Sequence, residues 1–448
     1  MKKNSKRPMS ISPPRMIILT FILLIIIGTI LLSLPISSVD GENISWLDAF
    51  FTATSAVCVN GLSTLDIKSS FSPFGQTVIM ILIQIGGLGF MTLGVMVAII
   101  LGKRIGLSQR LLIQETIHSQ TIQGVVKLSL SILVIALTFE VTATLILTLR
   151  WADEMGFGQA LYNAVFHSIS AFNNAGFALW SDSLSSYIHD PIVNLTIITL
   201  FVFGGLGFIV IVELFQKRSW RKFSIHTKLV LITSIILTIS GFIFLFILES
   251  FNADTFGELS LGERTLAALF QSSTPRSAGF NTIDIGSMLS ASQLFIILLM
   301  FIGASSGGTG GGIKTNTVVV LMLATMNTFR GGGSIHVFER RIATETVMRA
   351  LAVVISSLAC IFTVALLLTI TEGLLEKHFL EVLFEATSAF STTGLTMGLT
   401  SELSPTGKVI ISATMFIGRL GPLTLAYALA KKKRKSKINY PEDHVLIG

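Results

Sequence analysis

The sequence predicts an all-α integral membrane protein. A transmembrane helix, a re-entrant pore loop and a second transmembrane helix recur four times. That gives eight spans and four pore helices around one pseudo-fourfold pore. Three observations carry this expectation: hydropathy, the sidedness of charge, and an aromatic-to-glycine signature present four times. Of the 448 residues, 51% are hydrophobic and 13% charged, about half the charged share of an ordinary soluble domain. Mean hydropathy is +0.76.

Apolar runs of about 20 residues, enough to cross a ~30 Å hydrocarbon core, lie near 16–36, 76–101, 128–149, 192–216, 228–249, 346–370 and 407–430. An eighth region, 289–329, is too long for one ordinary span and is interrupted. The first run follows Lys2, Lys3, Lys6 and Arg7, as a secretory signal would. It is long, lacks a small-x-small cleavage site and is followed by further spans, so it reads as a retained helix.

Charge sorts by side. The loops 1–15, 102–127, 217–228, 314–349 and 431–448 hold 25 Lys/Arg and 5 Asp/Glu. The alternate loops 37–75, 150–190, 249–288 and 371–405 hold 5 Lys/Arg and 18 Asp/Glu. Basic loops stay cytoplasmic, so both termini are expected in the cytosol of a multi-pass protein of the cell membrane. This distribution argues against nucleic acid as the reason for the net charge of +7. The run "KKKRK", Lys431 to Lys435, reads as a helix end at the inner membrane face, with a separate lipid-binding or nuclear role as the alternative. The expected order is a cytosolic tail 1–15, units at 16–101, 128–216, 228–329 and 346–430, cytosolic linkers 102–127, 217–227 and 330–345, and a cytosolic tail 431–448.

The outer loops share a pattern. It reads "FTATSAVCVNGL" from Phe51, "FHSISAFNNAGF" from Phe166, "FQSSTPRSAGF" from Phe270 and "FEATSAFSTTGL" from Phe384. Ser55, Ser170, Thr274 and Ser388 follow those phenylalanines by four residues. The closing glycines are Gly61, Gly176, Gly279 and Gly394, ten residues after the phenylalanine in three copies and nine in the third. A second signature follows after 24 to 28 residues: "IGGLGF" with Gly86, "FGGLGF" with Gly204, "IGASSGG" with Gly303 and "IGRLGP" with Gly418. Close packing of membrane helices through small residues explains the second signature. It does not explain the first, whose aromatic-to-glycine distance is held to within one residue in four loops.

Non-helical backbone at membrane depth needs partners that lipid does not supply, and lining a watery cavity is one solution. Four such loops on one axis can turn carbonyls toward a cation and replace its hydration shell. Glycine permits the backbone conformations this requires. The short helix before each loop would bring about half an elementary negative charge to the membrane centre.

"SISAFNNAGF", "RSAGFNT", "TSAFSTTGLTMG" and "GGTGGGIKT" resemble the Trk/Ktr/HKT superfamily of potassium transporters. Within it, the chain's size and short tails resemble a bacterial Ktr membrane subunit (KtrB/KtrD type). The likeness covers essentially the whole chain. It implies a selectivity filter for potassium built from Val59, Asn60 and Gly61; Asn174, Ala175 and Gly176; Ser277, Ala278 and Gly279; and Thr392, Thr393 and Gly394. In the family, glycine in the first filter goes with potassium preference, and serine there with sodium transport in some plant members. Two departures stand out: Asn60 where threonine is more usual, and Cys58 where serine is common. Arg276 occurs in one copy alone, and its plainest role is pairing with outer acids.

"FIGASSGGTGGGIKTNT", Phe301 to Thr317, interrupts the third unit. Six of the ten residues 303–312 are glycine, each costing a helix about 1 kcal/mol, so no helix is expected there. A turn between two spans would invert the sidedness of all that follows. "GGGIKT" lacks the Gly-Lys-Ser/Thr succession and the preceding strand of a phosphate loop, so this chain is not expected to bind nucleotide itself. The family likeness implies a gate formed by Gly303, Ala304, Ser305, Ser306, Gly307, Gly308, Thr309, Gly310, Gly311 and Gly312, with Arg419 beside it. Lys314 would mark the cytosolic exit. Arg419 is a charge deep in the last span, and such a charge faces protein or water; packing alone is the alternative. Of the other carboxylates in spans, Glu213 reads as snorkelling from a cytosolic end and Glu140 as the partner of an arginine.

These readings converge on cation uptake down the membrane potential, which supplies about 2.3 kcal/mol per charge per 100 mV. The resemblance adds potassium as the transported ion, sodium as an activator, a homodimer in the lipid bilayer, and a cytosolic ring of nucleotide-binding (RCK-type) regulatory subunits. The segments 103–127, 217–228 and 438–448 are candidate contacts. A coupled sodium–potassium symporter is the alternative within transport. A membrane hydrolase would need clustered ligands, whereas His118, His167, His189, His226, His336, His378 and His444 are scattered. Cys58 and Cys360 read as two unrelated thiols.

Overall fold

A computed structural model describes residues 13–89, 114, 124–373 and 379–429. The tails 1–12 and 430–448 lie outside these residues, with the Lys431–Lys435 run. So do most of the linker 102–127, the end of the first unit at 90–101, and the positions of His118, His378 and His444.

Among the described residues four single helices are long and apolar enough to cross a membrane: Pro13–Leu32, Val125–Met155, Ile225–Glu249 and Thr344–Thr371. Their outward faces carry Leu19, Leu23, Leu145, Leu149, Ile235, Ile239, Ile355 and Phe362, all exposed. Polar residues lie inside instead, among them Thr54, Ser55, Ser168, Ser170, Ser272, Thr274, Thr387 and Ser388. Apolar outside and polar inside suits a lipid surround with a polar axis.

After each long helix comes a short one: Trp46–Cys58, Phe157–Phe172, Leu261–Ser273 and Phe379–Ser391. Ser45 caps the first by accepting from the amide of Asp48, and Ser260 with Glu263 forms a reciprocal capping box on the third. Phe51, Phe166, Phe270 and Phe384 are all buried at 0–1% exposure. The opening phenylalanine therefore anchors each short helix in the interior.

A third helix follows each time. Ser72, Asp190 and Ser404 cap Pro73–Leu88, Pro191–Leu206 and Pro405–Leu420, each with proline in the first turn. In the third quarter the chain runs Ser290–Phe301, then a non-helical loop, then Thr315–Phe329. The break read from the glycine-rich stretch is present.

One expectation needs correction. The run 192–216 is not one straight span: Pro191–Leu206 and Phe208–Lys217 meet at 97°. Gly207 makes the corner at φ +96°, which hydropathy does not register. Gly421 (φ +78°) separates Pro405–Leu420 from Pro422–Leu429, and Gly89 (φ +80°) ends Pro73–Leu88. The last glycine of each "GxxG" thus takes a positive φ at a helix end, a role that packing through small residues does not include. The segment 330–345 holds a short strand pair. His336–Val337 and Arg340–Arg341 pair as an antiparallel two-stranded ribbon.

Candidate functional site, a closed ring of glycine-ended strips

Each short helix ends by passing into a strip of unusual backbone. Val59, Asn174, Ser277 and Thr392 take left-handed φ values of +57°, +59°, +75° and +48°. The next residues, Asn60, Ala175, Ala278 and Thr393, return to negative φ, and Gly61, Gly176, Gly279 and Gly394 are positive again. A non-glycine residue held in this region costs about 1–3 kcal/mol, so the surroundings must fix it. They do so in the same way four times. The amides of Asn60, Ala175, Ala278 and Thr393 donate to the carbonyls of Ser55, Ser170, Thr274 and Ser388 at 2.8–2.9 Å.

The hydroxyls of those four residues brace the strips as well. Ser55 and Ser388 accept from the amides of Gly61 and Gly394, both at 3.1 Å. Ser170 donates to Phe177 O at 2.8 Å and Thr274 to Phe280 O at 2.6 Å. Sequence reasoning noted these positions without a role. Their fixed distance from the phenylalanine was the available signal.

The four strips meet. A Cβ on Gly61 would lie 2.5 Å from Ala175 O, and one on Gly176 would lie 2.8 Å from Gly279 Cα and 3.1 Å from Ala278 O. One on Gly279 would strike Thr393 O, and one on Gly394 would strike Asn60 O. Each glycine thus abuts the carbonyl that precedes the next glycine, and the fourth returns to the first. Side chains tie neighbours together. Asn60 Nδ2 donates to the carbonyls of Ser388 and Ala389 at 3.3 and 3.2 Å. Ser277 Oγ donates to Thr392 O at 2.8 Å, and Thr393 Oγ1 to Pro275 O at 3.4 Å.

Gly86, Gly204 and Gly418 press against the carbonyls of Val57, Phe172 and Phe390, the residues four before each strip glycine. No side chain fits there. Gly303 departs from this pattern and faces Gly311 O.

The loop 303–312 sits at the ends of the short helices. Ile302 and Ile313 bridge its two stems. Thr309, fully buried, donates from Oγ1 to Phe172 O at 3.3 Å and Asn174 Oδ1 at 3.1 Å. The amide of Gly311 donates to Ser277 Oγ at 2.9 Å, and a Cβ on Gly310 would lie 2.8 Å from Ser277 Cβ. Ser305 N donates to Gly205 O and Phe208 N to Gly307 O. Ala304 is 3% exposed, Gly312 is closest to Gly303 and Ser391, and Gly308 crowds the carbonyls of Gly204 and Gly205; Ser306 O faces Gly207. Arg419 donates to Thr309 O and Gly86 O, and Lys314 Nζ to Gly310 O at 2.6 Å. Lys314 therefore holds the loop rather than simply leaving it. A cavity of about 380 Å³, lined by Gly86, Gly310, Gly312, Lys314, Gly418 and Arg419 among others, adjoins the loop.

Three side chains differ from expectation. Arg276 does not meet an acid: it donates to Ser234 O at 3.4 Å and Thr238 Oγ1 at 2.7 Å on the neighbouring long helix. Glu140 does not meet an arginine. It accepts from Gln84 Nε2 at 3.1 Å and Asn173 Nδ2 at 3.3 Å. Glu213 does not snorkel; it is buried against Lys217, Ser224 and Thr227. Among the described residues no three His, Cys, Asp or Glu form a group able to hold a metal.

A family model described as TrkH, cation transport protein, matches residues 2–439. The Ktr system potassium uptake protein B of Bacillus subtilis (strain 168) is 46% identical over 437 residues, 98% of this chain and 97% of that one. The protein of the same description from Vibrio alginolyticus is 44% identical over 439 residues, 97% and 95% of the two chains. The potassium/sodium uptake protein NtpJ of Enterococcus hirae is 37% identical over 451 residues, 100% and 99% of the two chains. The crystal structure of the potassium transporter TrkH from Vibrio parahaemolyticus has the same fold, with a TM-score of 0.73 at 20% identity over 96% of this chain and 87% of that one.

Proposed function

We propose that this chain, which belongs to the TrkH family of cation transport proteins, takes up potassium through the axis of its glycine ring. The observation that carries the reading is the closure of Gly61, Gly176, Gly279 and Gly394 on one another through the carbonyls of Ala175, Ala278, Thr393 and Asn60. A cation entering the ring exchanges water for backbone oxygens fixed in advance, so no reorganisation is needed when it arrives. The C-terminal ends of the short helices add negative potential at the same place. Transport then runs down the electrochemical gradient, and the chain acts as a transporter rather than an enzyme.

In this reading the four quarters are repeats, the chain crosses eight times, and the basic loops with both termini face the cytosol. The 25 Lys/Arg on one set of loops against 5 on the other support that sidedness. The loop 303–312 is the gate. Its bonds to Asn174 and Ser277 place it directly against two strips. Arg419 and Lys314 occupy loop carbonyls that an ion would otherwise meet, which is a closed arrangement. Relatives described as parts of a Ktr system support a multi-component assembly, here a homodimer on a cytosolic nucleotide-binding ring, with sodium as activator.

The test is potassium and sodium flux into liposomes holding the purified chain, with Gly61→Ser beside it. Wild type is expected to prefer potassium and the variant to lose much of that preference. The new side chain would project at Ala175 O from a φ of +100°. Equal preference in the two proteins would remove Gly61 from the selective path.

A further inference from the structure

The ring has one junction unlike the others. The first and fourth quarters are the two ends of the chain, and no intervening segment of peptide links them as the linkers join the other three pairs. We propose that this seam is closed by a clasp, the Asp48–Lys408 ion pair with the Asn60 amide, and that the clasp sets the selectivity of the ring. The inference rests on the filter reading above.

The residue ten positions before the second-signature glycine shows how special the seam is. Counting back from Gly86, Gly204, Gly303 and Gly418 gives Gln76, Asn194, Gln293 and Lys408. The three amides each donate to carbonyls of their own quarter. Gln76 reaches Phe71 O at 2.8 Å, Asn194 reaches Tyr187 O and Asp190 O at 2.7 Å, and Gln293 reaches Ile285 O and Gly286 O at 3.0 and 3.1 Å. The fourth position has exchanged its amide for an ammonium. Lys408 Nζ leaves its own quarter and donates to Asp48 Oδ1 at 2.6 Å, 360 residues away in sequence.

Asp48 is prepared for it. It lies in the first turn of the helix Trp46–Cys58, where negative charge is favoured. Thr64 Oγ1 donates to Oδ1 at 2.7 Å and Ser45 Oγ to Oδ2 at 2.5 Å. Burial pushes the carboxyl up, but the bonds from Lys408, Ser45 and Thr64 outweigh it and hold the pKa below its ordinary value. Both side chains are under one-fifth exposed, so salt screens the pair less than a surface pair.

The same seam is tied at two further depths. Asn60 Nδ2 donates across it to Ser388 O and Ala389 O, and Arg419 donates across it to Gly86 O. Asn60 thereby has a use that a threonine in its place would lack: two donors directed at the carbonyls of the fourth short helix. At strip level the seam contact is Gly394 against Asn60 O. Loosening the clasp moves one side of the ring relative to the other, and so alters both the size of the ring and the carbonyl field that ions of one charge and different size meet. Asp48 and Lys408 are positioning residues here, acting through the strips.

The experiment is a double-mutant cycle on the full chain in liposomes, reading the ratio of potassium to sodium flux. The variants are Asp48→Asn, Lys408→Gln and both together, with Glu345→Gln as an exposed ion-pair control away from the ring. Lys408→Gln restores the amide of the other three quarters, so the fold tolerates it most readily. Thermal unfolding of each variant is measured beside the flux. We expect each single change to lower the ratio by about threefold, the double to be no worse than either single, and the control to match wild type. Asn60→Thr should lower the ratio too. Unchanged ratios in the single variants, or effects that multiply in the double, would overturn the clasp while leaving the filter reading intact. A wild type without potassium preference would instead remove the filter reading itself.

Discussion

A hydroxyl four residues after each buried phenylalanine decides whether a strip keeps its shape. Ser388 Oγ accepts from Gly394 N at 3.1 Å. Its loss leaves a part-buried amide without that partner, at a cost of about 1 kcal/mol. Ser412, buried on the helix Pro405–Leu420, has an oxygen with no hydrogen-bond partner. We predict that Ser388→Ala lowers the unfolding temperature in detergent and that Ser412→Ala leaves it nearly unchanged. Equal effects would show that the brace contributes nothing. The hydroxyl positions were legible because each follows its phenylalanine by four residues in every copy. The use of Asn60 was not legible: its partners, Ser388 and Ala389, are 328 and 329 residues distant. Arg276 and Glu140 fail in the same way, since their partners are amides, hydroxyls and carbonyls whose positions depend on how helices pack; Glu213 meets Lys217 one turn on in its own helix, and Ser224 and Thr227 beyond it.

Among the elements, the broken helices carry the least expected feature. Glycine density exposed the break at 303–312, because six glycines in ten residues cannot sustain a helix. The corner at Gly207 was hidden, because "FVFGGLGFIV" stays apolar across it and a hydropathy average does not see φ. The corner matters because Gly207 closes on the loop: a Cβ there would lie 2.7 Å from Ser306 O, at φ +96°. Gly207→Ala should therefore destabilise by at least about 1 kcal/mol. Gly158, helical with open space around its Cα, offers the contrast. Gly158→Ala should stabilise by up to about 1 kcal/mol. Thermal unfolding of both variants checks the pair, and the same sign for both would contradict the corner.

At the scale of the whole molecule, a sequence of four glycine-ended loops becomes one object only because the last strip returns to the first. The exposed leucines and isoleucines of the four long helices face outward and the serines and threonines of the short helices face the axis. Hydropathy and charge predicted that inversion. Closure was implied by four matching offsets, while the bonds that make the seam were not. The most direct measurement is anomalous diffraction from crystals of the full chain grown with rubidium in place of potassium. The account predicts rubidium on the axis, among the carbonyl oxygens of Asn60, Ala175, Ala278 and Thr393. Rubidium confined to other places, with the four strips apart, would contradict it.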